Sequence, residues 1–124
     1  MKTASFRCAA CGLLLTQPLQ LLTDTTLLSE EDGTDYVPNG FYMAETDEGY
    51  YTTGAGNYVV NLKSLQNTKP HPNGSRRNGC CGMDGLDGLN VVCQNGHEVG
   101  TEKSDCWMVH SLIFEPTAVV LELT

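Results

Sequence analysis

Residues 79–93, Gly-Cys-Cys-Gly-Met-Asp-Gly-Leu-Asp-Gly-Leu-Asn-Val-Val-Cys, limit what this chain can become more than any other stretch. They hold three of the six cysteines and four of the thirteen glycines. So much glycine disfavours a helix, and so polar a run makes a poor core strand. A backbone this permissive brings side chains close together, and those on offer are thiols, carboxylates and one amide. The other cysteines lie far off in sequence: Cys8 and Cys11 near the start, Cys106 near the end. If these groups are to meet, the fold must bring its two ends together.

Around that stretch the chain reads as short strands separated by turns. Glu30-Glu31-Asp32-Gly33, Pro38-Asn39-Gly40 and Gln94-Asn95-Gly96 carry turn residues. Residues 13–16, 19–22, 26–29, 41–45, 50–53 and 58–62 have the patterning of strands, with 58–62 the central strand of the first half. Residues 63–67 suit one helical turn. Residues 68–78, with two prolines, His71 and two arginines, read as a mobile loop with a solvated histidine. Strands at 91–93 and 98–101 follow. The best strand is expected at 106–114, with Trp107, Val109, Ser111 and Ile113 on one face and Cys106, Met108, His110, Leu112 and Phe114 on the other. Pro116 ends it, and 118–123 is a last strand. No segment has helical periodicity. The fold class implied is all-β, a small sandwich or partly open barrel of short antiparallel strands. A length of 124 residues fits a single domain, 1–124.

Charge narrows the partners. Fifteen acidic residues against seven basic give a net charge of −8. A phosphate backbone would be repelled, so the reading excludes nucleic acid and favours a protein partner of basic character. The apolar run Leu13-Leu14-Leu15 is broken by Thr16, Gln17 and Pro18 and comes after two cysteines. It makes neither a secretory signal nor a membrane span. The chain therefore reads as cytoplasmic, with reduced thiols, where clustered cysteines favour metal over disulfides.

Cys8-Ala9-Ala10-Cys11-Gly12 is a Cys-x2-Cys-Gly knuckle. Two sulfurs at that spacing converge on one tetrahedral ion if the chain turns tightly, and Gly12 permits the positive φ such turns use. A thioredoxin-type redox motif would need a helix opening within it, and Pro18 follows too soon. Cys93 is the expected third ligand, and His97, at Cys-x3-His spacing, the fourth. Cys81 and Cys106 are rival fourth ligands. Thiolate-rich sites of this kind are usually structural, so the expected cofactor is a structural Zn2+ in a non-enzymatic binding module. The alternative is a small thiol- or metal-dependent enzyme, a thiol redox enzyme or hydrolase, using Cys80, Cys81 or Cys106 as nucleophile. Asp84, Asp87 and Asp105 would raise the pKa of such a thiol and weaken it. Asp84, Asp87 and Asn90, spaced by three, could present oxygens to a cation, but they lack the two-residue spacing and closing glutamate of an EF-hand. The plainer reading is that each caps its own turn. There is no serine-nucleophile motif, phosphate-cradling loop or His-Glu-x2-His signature.

Three runs carry a resemblance: Phe6-Arg-Cys-Ala-Ala-Cys-Gly12, Gly79-Cys-Cys-Gly-Met-Asp-Gly-Leu-Asp-Gly-Leu-Asn90, and Val99-Gly-Thr101 with Ser104-Asp-Cys-Trp107. Together they resemble a family of uncharacterised bacterial proteins, common in actinobacteria. Family members often place a second cysteine just after the position of Cys93, where this chain has Asn95 and Gly96. The resemblance implies metal binding and brings no activity with it. A looser likeness, resting on the knuckle alone, is to B-type methionine sulfoxide reductases, whose β-fold is tied by paired Cys-x2-Cys motifs.

Overall fold

In the computed structural model, which describes residues 3–44 and 57–123, the described residues form nine strands in two sheets. β1 (Ala4–Cys8) pairs antiparallel with β9 (Val119–Leu123), in a register running from Ala4↔Leu123 to Cys8↔Val119. The larger sheet is mixed. Its strands are β2 (Gln20–Leu21), β3 (Phe41–Ala44), β4 (Tyr58–Val60), β5 (Thr68–Pro70), β6 (Val91–Cys93), β7 (Glu98–Lys103) and β8 (Ser111–Phe114). They lie side by side in the order β2-β3-β4-β8-β7-β6-β5. The β2–β3 pair is parallel and the others are antiparallel. Among the described residues the sheets do not close into a barrel.

Residues 13–19 run beside the free edge of β1. Leu19 and Ala4 exchange both backbone hydrogen bonds, at 2.7 and 2.8 Å, and the Phe6 N–H reaches the Thr16 hydroxyl at 3.2 Å. Pro18 interrupts this run because it has no N–H to give. Only Gln20–Leu21 is therefore regular strand where residues 13–16 and 19–22 were expected to be.

Phe6 joins the two sheets. Its ring packs on Tyr42, Tyr58 and Phe114 at centroid distances of 5.6, 5.0 and 4.8 Å. Leu15, Leu19, Val60, Val91, Val99, Leu112 and Val119 complete this core. A second cluster of Tyr36, Val37, Val59, Val109 and Ile113 covers the opposite face of β4 and β8. These two central strands are thus buried on both sides, as their β-branched and aromatic content allows.

Several expected elements change. The strand expected at 106–114 starts only at Ser111, because residues 106–109 lie in the loop that follows Asp105. There the Asp105 carboxylate accepts from both the Cys106 N–H and the Trp107 indole. Residues 26–29 form no strand. A 3-10 turn, Thr25–Leu27, occupies the region, with Asp24 accepting from the Thr26 N–H. The 58–62 strand stops at Val60, since the Asn61 side chain caps a 3-10 turn, Leu62–Ser64, by accepting from the Lys63 N–H at 2.8 Å. The 98–101 strand extends to Lys103. Residues 68–78 are not a mobile loop throughout: they hold β5 and a 3-10 turn, Gly74–Arg76. His71 is not solvated either, since its Nε2 meets Glu98 at 2.9 Å and Arg76 shares that carboxylate at 3.0 Å. The strand expected at 50–53 lies outside the described residues.

Candidate metal centre

β1 and β6 each end in a buried cysteine, Cys8 and Cys93, and a tight turn follows each. In the first turn the Gly12 N–H returns to the Cys8 carbonyl at 2.7 Å, and in the second the Gly96 N–H returns to the Cys93 carbonyl at 2.8 Å. Gly12 and Gly96 sit at φ of 75° and 88°, a region that an L side chain rarely enters. The two turns bring Cys8, Cys11, Cys93 and His97 together, with their ligand atoms all within 4.8 Å of one another.

The spacing can be tested against a zinc ion. Bond lengths of about 2.3 Å to sulfur and 2.1 Å to nitrogen put two sulfurs about 3.8 Å apart across a tetrahedron, and a sulfur and a nitrogen about 3.6 Å apart. Here Cys11 Sγ lies 3.9 Å from Cys93 Sγ, and Cys93 Sγ lies 3.4 Å from His97 Nδ1. These two spacings fit the ion, and Cys8 Sγ lies within 4.8 Å of all three of these atoms.

The surroundings are those of thiolates. The Asn95 amide donates to Cys11 Sγ at 3.3 Å. That bond, followed by the Leu13 N–H, brings the Cys11 thiol down to about 6. Burial pushes Cys93 up, but the N–H groups of His97 and Asn95 outweigh it, and the net direction is down. Burial dominates at Cys8 and raises it, against the N–H groups of Cys11 and Ala10. His97 is raised by its bonds to Cys93 and then Cys11. Cys11 and Cys93 are thus disposed toward deprotonated sulfur, the form that binds metal, and Cys8 is not. Asn95 stands outside the cluster of four and supports one of its ligands.

Cys81 and Cys106 do not join this group. They meet Cys80 in a second cluster, again with all sulfurs within 4.8 Å and all three residues exposed. The Cys81 thiol donates to Cys106 Sγ at 2.7 Å. That bond is the first cause raising Cys106 to about 12, and Cys81 likewise raises Cys80, with Asp105 adding to both. Neither is an activated nucleophile.

Asp84, Asp87 and Asn90 are each engaged by a different partner. Asp84 caps its own turn by accepting from the Leu86 N–H at 3.0 Å, and Asp87 accepts from the Asn78 amide at 3.0 Å. Asn90 is fully buried, and its amide is engaged on both sides by the main chain of Glu102, giving to the carbonyl at 3.0 Å and accepting from the N–H. His110 contacts the Asp105 carbonyl at 3.0 Å and has no place in either thiol cluster. Sequence reasoning missed the role of Asn95. For Asp105 it foresaw the charge that raises the neighbouring thiols but not the hold on their main chain.

Among the described residues, no helix is long and apolar enough to cross a membrane. No protein-family model, curated protein or solved structure matches the chain.

Proposed function

We propose that Cys8, Cys11, Cys93 and His97 hold one structural Zn2+ ion, and that the chain is a single, cytoplasmic, non-enzymatic binding domain stapled by it. The observation that carries this reading is the convergence of three sulfurs and one nitrogen within 4.8 Å of one another, with two of the spacings close to tetrahedral, from the ends of two strands in different sheets. A centre with all four positions taken by side chains leaves no place for a reacting water. The raised Cys80 and Cys106 thiols speak against the alternative of a thiol enzyme. The net charge of −8 favours a basic protein partner and disfavours nucleic acid. The Cys-Cys-Gly-x-Asp-Gly-x-Asp-Gly-x-Asn run supports membership of the actinobacterial family it resembles. Elemental analysis of the purified protein tests the central point: about one zinc per chain is expected, lost in Cys11→Ser. No metal together with three disulfides would refute both the zinc centre and the cytoplasmic assignment.

A further inference from the structure

We propose that Cys80, Cys81 and Cys106 form a second, three-coordinate thiolate site that takes a soft monovalent cation, Cu(I). The site shares no residue with the first centre, and of its test only the zinc-release readout rests on the zinc reading.

Its main-chain frame is built in; the exposed sulfurs of Cys81 and Cys106, 2.7 Å apart, must open to about 4 Å to share an ion with bonds of about 2.3 Å. Asp105 is only 1% exposed, yet its carboxylate holds the main chain of all three cysteines. One oxygen accepts from Cys80 N–H and from the Trp107 indole, both at 2.9 Å. The other accepts from Cys81 N–H at 2.9 Å and Cys106 N–H at 2.8 Å. On an extended chain, adjacent cysteines would point to opposite faces. Here the Gly79–Gly82 turn wraps so closely that both thiols reach Cys106. A Cβ at Gly79 would lie 1.6 Å from the Gly82 carbonyl oxygen, and one at Gly82 would lie 2.3 Å from the Ser104 carbonyl oxygen.

The donor set selects the ion. No histidine or carboxylate atom joins the three sulfurs among the described residues. Structural zinc and iron–sulfur clusters draw on four protein ligands, as the first centre can provide. Soft thiolates favour Cu(I), which is satisfied with three. Binding is an exchange: each thiol that forms a copper–sulfur bond releases its proton to solvent, and no electrons move. The exposure of all three sulfurs leaves the ion open to transfer from a thiol carrier.

The test is an anaerobic titration of the reduced 124-residue chain, as purified, with Cu(I) held by a chromophoric chelator. Zinc release is followed with a second dye. One Cu(I) per chain should be taken up without loss of zinc. Cys80→Ser, Cys81→Ser and Cys106→Ser, at exposed positions, should each abolish or greatly weaken that uptake while keeping the far-ultraviolet spectrum of the parent. Asp105→Asn should weaken it by about 10–100-fold, the usual effect of a lost supporting contact. If that variant fails to fold, the serine variants carry the test. Four results would overturn the proposal: no uptake, uptake matched by zinc release, uptake unchanged in the serine variants, or Zn2+ filling the cluster as tightly as Cu(I). A Cys81–Cys106 disulfide that persists under the reductant would also overturn it.

Discussion

Asn90→Ala should be among the most damaging single changes outside the aromatic core, although it removes only a small polar group. The Asn90 side chain completes two hydrogen bonds with Glu102, and its own N–H donates to the Gly100 carbonyl at 3.1 Å. It therefore extends the edge of β7 in place of a strand. Truncation removes two bonds worth about 0.5–1.5 kcal/mol each. It also leaves the Glu102 N–H and carbonyl, half-buried, without those partners, so the total comes to about 2–4 kcal/mol. For 124 residues, at about 2.1 cal/mol/K per residue, that lowers the melting temperature by about 8–15 °C. Asn90→Asp keeps the acceptor but turns a second carboxylate oxygen toward a carbonyl, and should do no better. Urea unfolding followed by circular dichroism, at fixed zinc, measures both. If the alanine variant stays within about 0.5 kcal/mol of the parent, the bonds to Glu102 do not carry the stability assigned to them. Stabilisation of the parent by calcium, lost in the variant, would return Asn90 to the role of a cation ligand.

Three further outcomes are expected. Cys8→Ser should lose the metal and melt well below the parent, while His97→Ala should bind zinc more weakly without losing it; equal zinc affinity in His97→Ala would remove that residue from the centre. Asp105 is held well below the usual carboxylate range, first by the Cys80 and Cys81 N–H groups. Its stabilising effect is therefore full above its unfolded pKa of about 3.9 and fades as pH falls through the lower folded value. The stability gap between parent and Asp105→Asn should accordingly be widest near neutral pH and shrink below about pH 4, and a gap independent of pH would refute the role. Gly79→Ala should open the turn over Asp105 and separate Cys80 from Cys106, read as a lower yield of a thiol-bridging arsenical adduct; an unchanged yield would show that the turn tolerates a side chain.

Short-range signals in the sequence were reliable where chemistry and backbone agreed. The Cys-x2-Cys-Gly knuckle needs a left-handed glycine, and Gly12 has one. Alternation and β-branched residues marked the all-β class, with β4, β6 and β9 close to their expected places. Where the signal failed, a side chain had taken over the work of the backbone. Asp105 turns residues 106–109 out of a strand that their apolar pattern would otherwise support. Asn61 ends β4 early in the same way. β1 escaped notice because Ser5 and Arg7 alternate with Ala4 and Phe6 over too few residues to stand apart from the knuckle. The second thiol cluster was hidden for another reason. The distance between Cys81 and Cys106 depends on a buried carboxylate whose partners are main-chain N–H groups, and these leave no mark on composition.

The pairing of β1 with β9 has a consequence for the time course of folding. Arg7 meets Glu122 across 115 positions, so β1 has no strand partner in its own sheet until nearly the whole described chain is present. Contacts this distant in sequence are slow to form, because the intervening loop must be closed before any pairing compensates for it. Cys11 and Cys93 are separated by 82 positions, a shorter span. An ion gripped there would tether the first strand to β6 while β9 is still unplaced, turning a search through the open chain into a local one.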